Sequence, residues 1–115
     1  MTNLARPDRA ADGRLLVEQT HTDARTTLAV YGEIDVASAQ ELENELEAAQ
    51  KLEPRELVID LDGLSFMDST GLYVLLRAYR SAKSNGYSLM LRRVPDHAMR
   101  LLRLTGVVPL FRVID

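Results

Sequence analysis

The chain has 115 residues, of which 46% are apolar and 27% are charged, and its formal net charge is −3. This length suits one domain, and the apolar fraction excludes a mainly disordered protein. The absence of cysteine excludes disulfides, zinc–thiolate sites and thiol chemistry. No apolar run approaches the roughly 18 residues that span a bilayer, and the N-terminal residues do not resemble a signal peptide, since they contain no apolar core stretch. We therefore expect a cytoplasmic protein that uses no membrane, and its negative charge argues against nucleic acid as a partner.

Charge is distributed unevenly along the chain. Ten acidic residues lie between Glu33 and Asp62, against two basic ones. From Ser69 to the end there are eight basic residues but only two acidic ones, Asp96 and Asp115. Either the two halves pair with each other and with water, or they form a two-toned surface that orients a partner protein.

The N-terminal part predicts a tail followed by a β-hairpin. Residues 1–13 are polar, carry no periodic apolar face and are expected to form a flexible tail. Residues 15–18 and 27–31 have strand composition, with the polar residues 21–25 as the turn between them. Residues 32–35 then predict a second turn. The remaining chain, 14–115, is expected to be a single domain.

Beyond this turn the apolar residues change to helical spacing. They recur at intervals of three and four, at Ala39, Leu42, Leu46 and Ala49. Asp35 is the predicted N-cap of this helix. The helix must end before Pro54, because the residue before a proline disfavours helical backbone angles.

The second half alternates strands with helices. Residues 57–61 form a short apolar run, typical of a central strand that is buried on both faces. A helix over 68–84 follows, and Asn85 and Gly86 end it. Its predicted inner face comprises Leu72, Leu75, Leu76 and Tyr79.

A strand over 88–92 precedes a third helix, which begins at Pro95 and Asp96 and ends at Gly106. The predicted inward residues of this helix are Met99, Leu101, Leu102 and Thr105. The last strand covers 111–114. The order β-β-α-β-α-β-α-β predicts an α/β fold, in which helices pack on a mixed sheet that contains parallel crossovers.

The sequence lacks the residue patterns that phosphate binding, metal binding and nucleophilic catalysis require. The six glycines are isolated, so no phosphate-binding loop is present. His21 and His97 lie on separate predicted elements and do not suggest a metal site. A triad of Ser69, His97 and an aspartate lacks the G-x-S-x-G turn that exposes such a nucleophile. We predict no catalytic residue, no metal and no cofactor, and hence no enzyme.

One constellation remains, where the central strand meets the second helix. Phe66 and Met67 are expected to anchor this junction from below. Asp68, Ser69 and Thr70 then occupy the helix start, where backbone N–H groups lack helical partners. One interpretation is a simple helix cap; the other is a functional hydroxyl at the carboxyl end of a parallel strand.

Gly71 favours the functional interpretation. A glycine in the first helical turn is less favourable than alanine by about 1 kcal/mol. Its missing side chain could allow close approach by a partner's backbone. We therefore expect Gly71→Val to harm partner binding more than folding.

Three motifs resemble those of a known family. They are G-E-I-D at 32–35, S-F-M-D-S-T-G-L at 65–72 and L-L-R-L-T-G-V at 101–107. In this order they resemble the anti-sigma-factor antagonist branch of the STAS domain family, over about residues 14–114. The resemblance implies a STAS-like mixed sheet in the 14–115 domain. It also implies that Ser69, and less favourably Thr70, is phosphorylated by a partner serine kinase that is itself the anti-sigma factor.

The resemblance further implies a partner switch. The unphosphorylated protein binds the kinase and frees a sigma factor, phosphorylation abolishes this binding, and a serine phosphatase restores it. We expect the free protein to be a monomer. The implied partner-binding residues are Gly32, Glu33, Asp35, Asp68, Ser69, Thr70, Gly71 and Tyr73. Tyr73 departs from the family pattern, which often has a small residue there, and such a bulky residue would either alter which kinase fits or block docking.

Two other functions stay open from the sequence. One is a STAS subunit that binds without being switched, in a signalling scaffold or a lipid-transport complex. The other is an unrelated small α/β enzyme or binding domain. Incubation with an anti-sigma kinase and ATP distinguishes the first from a switched antagonist, since only the latter takes up phosphate on Ser69.

Overall fold

The computed structural model describes residues 13–115. The predicted flexible tail therefore lies outside the described residues, apart from Gly13. The helices and strands, numbered in chain order, are β1 (Leu16–Thr22), β2 (Arg25–Ile34), α1 (Ala39–Lys51), β3 (Glu56–Met67), α2 (Ser69–Asn85), β4 (Ser88–Arg92), α3 (Asp96–Leu104) and β5 (Arg112–Ile114), with a 3-10 turn at Val108–Leu110. This is the predicted element order.

The five strands form one mixed sheet in the order β1-β2-β3-β4-β5. β1 pairs antiparallel with β2, and the other neighbouring pairs are parallel. Helices α1, α2 and α3 connect the successive parallel strands. The carboxyl ends of β2, β3 and β4 therefore share one edge of the sheet, where loops of α/β proteins commonly carry function.

One apolar cluster joins the helices to one face of the sheet. Alternate strand residues point into it, since side chains alternate between the faces of a strand. The strand residues are Leu28 and Val30, then Leu57, Ile59 and Leu61, then Leu89 and Leu91. Leu42 and Leu46 of α1, Leu72 and Leu75 of α2, and Leu102 of α3 complete the cluster. Leu57–Leu61 are all buried, which confirms the prediction of a strand buried on both faces.

The strands are longer than their sequence patterns indicated. β1 continues to Thr22 and β2 begins at Arg25, so the hairpin turn contains only two residues. The predicted turn at 32–35 is wrong, because its first three residues extend β2. Two register irregularities between β2 and β3 let this extension follow the long β3 as far as Met67. Bulges of this kind add local twist while keeping the pairing.

The predicted inward face of α3 is confirmed only in part. Leu102 is buried, and Met99 and Leu101 pack against the core at its margin. Thr105 is exposed and follows the helix as its C-cap, so its predicted inward position is wrong. Its hydroxyl donates to the Leu101 carbonyl oxygen at 2.8 Å. The buried Ala98 takes the inward position one turn before Leu102.

Candidate functional site

The junction between β3 and α2 forms as an N-capped helix start. Met67 is buried, and Asp68 follows it in an extended conformation as the N-cap. Asp68 Oδ1 accepts from the Thr70 N–H at 2.9 Å and from the Gly71 N–H at 3.4 Å. These bonds satisfy two donors that the first helical turn leaves free. The predicted cap at this position is therefore confirmed.

Ser69 is the first residue of α2 and is exposed. Within residues 13–115 its hydroxyl has no hydrogen-bond partner. Asp68 performs the capping, so the Ser69 hydroxyl is not needed for it. Thr70 is less accessible, because it is half-buried.

Gly71 has a structural role that the sequence interpretation missed. It is buried, and a Cβ built on it would lie 2.5 Å from Met67 Cγ and 2.9 Å from Ile34 Cγ2. The space expected for a partner's backbone is thus occupied by this protein's own side chains. Glycine is needed so that α2 can approach the ends of β2 and β3 closely. We therefore expect Gly71→Val to disturb folding as well, and the prediction that it harms partner binding more than folding stays a prediction.

The sheet brings the first motif beside the second. Ile34 pairs with Met67 at the carboxyl ends of β2 and β3, and the Asp68 N–H donates to the Ile34 carbonyl oxygen at 3.3 Å. Asp35 therefore follows β2 where Asp68 follows β3. The two motifs, 30 residues apart in the chain, lie at one edge because parallel strands end together.

Asp35 caps a turn and not the helix itself. Its Oδ1 accepts from the N–H groups of Ala37 at 2.9 Å and Ser38 at 3.2 Å. α1 begins only at Ala39, with Ser38 as its N-cap, so the predicted N-cap at Asp35 is wrong. The Ser38 hydroxyl donates to the Glu33 carbonyl oxygen at 2.9 Å and accepts from the Asp35 N–H at 3.0 Å. Hydrogen bonds from nearby backbone N–H groups to an aspartate side chain stabilise such a turn, and the turn delays the start of the helix.

Gly32 and Glu33 lie at the base of this turn. Gly32 is buried with φ +92°, and a Cβ there would overlap the Arg14 carbonyl oxygen. The Glu33 N–H donates to the Gly13 carbonyl oxygen at 3.2 Å. Glycine at 32 is thus required by the backbone of the preceding segment. Glu33 is half-buried and contributes its carboxylate near the edge.

Three large apolar side chains are exposed on the segments around Ser69. Val36 is 79% exposed, Phe66 46% and Tyr73 59%. The prediction that Phe66 anchors the junction from below is therefore wrong, and only the buried Met67 does so. Tyr73 lies four residues after Ser69, on the same face of α2. We call Val36, Phe66, Asp68, Ser69 and Tyr73 the Ser69 surface.

Sequence reasoning overlooked Val36 as a candidate contact. The sequence did contain a signal, because Val36 directly follows Asp35 and does not fit the helical spacing of the apolar residues that begins at Ala39. Such a valine is expected to lie outside the core. Exposed apolar side chains scattered singly are ordinary. Three of them on the segments that precede and follow Ser69 in the fold favour a protein-binding surface.

The two segments that form the junctions after β2 and β3 are negatively charged. The segments 32–39 and 65–73 contain Glu33, Asp35 and Asp68 but no lysine or arginine. A phosphate on Ser69 would add about −1.5 to −2 charges directly beside the Asp68 carboxylate. The helix N-terminus would partly offset this charge. The fold can thus tolerate a phosphate whose effect falls mainly on whatever binds here.

Other kinds of site are less well supported. A cleft of about 1020 Å³ lies away from Ser69 and is lined mainly by polar residues, which include Glu47, Lys51 and Asn85. Among residues 13–115, no group of histidine, aspartate and glutamate side chains is arranged to hold a metal ion. No helix in this described part is long and apolar enough to cross a membrane.

Comparison with known proteins identifies relatives over most of the chain. A family model described as "Mlab, STAS domain" matches residues 17–111. An anti-sigma-B factor antagonist of Staphylococcus aureus is 32% identical over 99 residues, which are 86% of this chain and 92% of that protein. Its counterpart in Listeria monocytogenes is 37% identical over 84 residues, covering 73% of this chain and 74% of the relative.

Solved structures show the same fold. An anti-sigma factor antagonist from Mycobacterium paratuberculosis superposes with a TM-score of 0.77 at 29% identity, covering 90% of this chain and 87% of that one. The antagonist SpoIIAA, solved in an unphosphorylated form, gives 0.72 at 17% identity and 89% coverage of both chains. In its phosphorylated form SpoIIAA gives 0.67 at 17% identity, with 89% of this chain and 92% of that chain covered. At 17% identity the likeness concerns the fold alone. From the family match, the relatives and the sheet topology, the chain belongs to the STAS domain family, on its anti-sigma-factor antagonist branch.

Proposed function

We propose that this protein is an anti-sigma-factor antagonist that is switched by phosphorylation of Ser69. The unphosphorylated form binds an anti-sigma factor, which is a serine kinase, and thereby releases a sigma factor in the cytoplasm. Phosphorylation of Ser69 ends this binding, and a serine phosphatase reverses it. The free protein is proposed to be a monomer. The names of the relatives support the regulatory role.

The observation that carries the proposal is the exposed Ser69 hydroxyl at the start of α2, without a hydrogen-bond partner in the described chain. A kinase needs an accessible hydroxyl in a backbone that the modification does not unfold. Asp68 supplies the cap, so Ser69 is free to react. SpoIIAA, a protein of this fold, has been solved in both phosphorylated and unphosphorylated forms, which supports a phosphorylation switch on this fold.

The same surface explains how one phosphate would release a partner. Val36, Phe66 and Tyr73 would be buried by the kinase around Ser69, in the manner of an interface centre. A phosphate placed there would have to be desolvated next to Asp68. A penalty of about 2.7 kcal/mol is sufficient to weaken binding a hundredfold. Thr70 is the less favoured acceptor because it is half-buried and follows the first helical residue.

The decisive experiment measures the dissociation constant for an anti-sigma kinase encoded in the same genome. We expect Ser69→Ala to bind within about threefold of wild type, because this exposed hydroxyl makes no hydrogen bond within residues 13–115. Ser69→Glu should bind about a hundredfold more weakly and remain folded, since a carboxylate suits a helix N-terminus. Ser84→Glu is the matched control, because Ser84 is an exposed serine near the other end of α2.

Incubation with the kinase and ATP, followed by mass spectrometry, completes the test. We expect phosphate on Ser69 in wild type and none in Ser69→Ala. Equal affinity of Ser69→Glu and wild type would refute the switch. Tight kinase binding without any phosphate uptake would favour the alternative, a STAS binding subunit that is not switched. Phosphate on Ser69→Ala would transfer the acceptor role to another hydroxyl, with Thr70 the first to examine.

A further inference from the structure

Among the described residues, a group of cations in the second half of the chain has no acidic partner. Between Ser69 and Ile114 the only acidic residue is Asp96. Arg77 pairs with Glu43, and Arg93 pairs with the buried Asp60. The other exposed cations make no ion pair within residues 13–115, and they are Arg80, Lys83, Arg100, Arg103 and Arg112. The two charged halves thus neutralise each other only in part.

Two of these cations border a small cleft between α2 and the start of β5. Its volume is about 210 Å³. Ala82 and Leu89 form its apolar floor and are buried, while Lys83 and Arg112 lie at the rim. Leu110, 43% exposed, lines it as well. We call this feature the Lys83 cleft.

The cleft results from the shortness of β5. β5 pairs with β4 only over Met90–Arg92, so the first two residues of β4 have no strand partner on that side. The 3-10 turn Val108–Leu110 occupies the space before β5 and leaves a gap beside α2. The two rings of Tyr79 and Phe111 contact edge to face, with centroids 5.9 Å apart, and join this turn to α2. The walls are therefore held by packed side chains.

Lys83 is oriented at the rim by an aromatic ring. Its Nζ lies 6.0 Å from the centroid of Tyr79, at the limit of a cation–π contact. Its positive charge and that of Arg112 thus border the same apolar floor. This combination suits a group that is apolar at its tip and is flanked by carboxylates.

We propose that the Lys83 cleft is a second docking site, which binds an acidic segment of a partner protein by accepting one of its apolar side chains. Pockets for small molecules usually measure about 300–1000 Å³, so this one is sized for a single side chain. Charge complementarity selects the acidic flanks. Nucleic acid is disfavoured as the occupant, because the whole chain carries a net charge of −3.

This site is separate from the Ser69 surface. Lys83 follows Ser69 by 14 positions in the same helix, which corresponds to about 21 Å along its axis. A partner at one end therefore need not exclude a partner at the other. The proposal does not depend on Ser69 being phosphorylated, and its test uses neither kinase nor ATP.

The test is a titration of the isotope-labelled full chain with an acetylated peptide, followed by amide chemical shifts. The peptide has leucine and phenylalanine between two pairs of acidic residues. We expect saturable shifts around Lys83, Ser88 and Arg112, and little change around Ser69. Replacing the two apolar peptide residues by alanine, or the acidic ones by their amides, should weaken binding by about tenfold each.

Charge variants of the protein complete the test. Lys83→Gln combined with Arg112→Gln should weaken peptide binding by about tenfold. Lys51→Gln is the matched control, since Lys51 is also an exposed lysine in the last turn of a helix. An unchanged amide spectrum away from the cleft verifies the fold of each variant. The proposal fails if the peptide causes no saturable shifts at the cleft or if the double variant binds as well as Lys51→Gln. It also fails if a short single-stranded RNA displaces the peptide.

Discussion

The two strand-to-helix junctions at the carboxyl edge of the sheet use similar residues and reach different structures. Asp68 follows β3 and caps α2 directly, so that Ser69 is the first helical residue. Asp35 follows β2 and caps a separate turn, so that α1 begins four residues later. The serine of the second case, Ser38, uses its hydroxyl to close that turn.

The difference shows what makes a serine available for modification. Both serines lie near an aspartate at a helix start, and both would score as caps from sequence alone. Ser38 is committed to internal hydrogen bonds, and its phosphorylation would break them. Ser69 is spared because its neighbouring aspartate already satisfies the helix donors. A free hydroxyl is thus a consequence of where the capping bond is placed.

The glycines of the two junctions offer the largest test of this comparison. Gly32→Ala would place a Cβ against the Arg14 carbonyl oxygen at a positive φ, and we expect a loss of about 3 kcal/mol or more in the free energy of unfolding. Gly71→Ala would meet the side chains of Met67 and Ile34, which can shift more readily than a backbone carbonyl, and the gain in helix propensity offsets part of the strain. Its expected cost is about 1 kcal/mol.

Urea denaturation of both variants measures this difference. Gly86→Ala serves as a control for positive φ alone, since a Cβ there meets nothing within 4 Å. Equal losses of unfolding free energy for Gly32→Ala and Gly71→Ala would contradict the expectation that a backbone carbonyl is a harder obstacle to a new Cβ than side chains are.

The aspartates give an intermediate effect. Asp68→Ala removes the acceptor of two helix donors, and we expect a loss of about 1–2 kcal/mol in the free energy of unfolding. Asp35→Ala removes the acceptor for a turn outside the helix and should cost about 1 kcal/mol or less. Asp68→Asn keeps a good cap and should restore most of the loss. Thermal melting compares the three variants, and a larger loss for Asp35→Ala than for Asp68→Ala would contradict this ranking.

The serines give the smallest effect on stability and the most direct evidence for their different roles. Ser38→Ala should lower the free energy of unfolding by about 1 kcal/mol, because it removes two hydrogen bonds within the turn. Ser69→Ala should change it by less than about 0.5 kcal/mol, as an exposed substitution without lost contacts. Chemical denaturation of the two variants in parallel decides this point, and a clear loss in Ser69→Ala would reveal a structural role for that hydroxyl.

Much of the fold could be predicted from local patterns. The spacing of Leu42 and Leu46 identified α1, and the continuous run from Leu57 to Leu61 identified a buried strand. The errors fall where tertiary pairing overrides local preference. Gly32 suggested a turn, yet pairing with β3 keeps this residue in β2, and Phe66 looked like an anchor although it points outward.

The sequence alone determined the order of the elements and a capped helix start at residues 68–70, because apolar periodicity and capping depend on neighbours within a few residues. The resemblance of three motifs to a known family added Ser69 as the candidate acceptor. Tertiary structure decided which hydroxyl is free, why Gly71 is glycine and which apolar side chains are exposed on the neighbouring segments. These features depend on β2 ending beside β3, where Ile34 meets both Met67 and the space that a side chain at 71 would fill. Contacts between residues more than 30 positions apart are set by strand register, which no local pattern records.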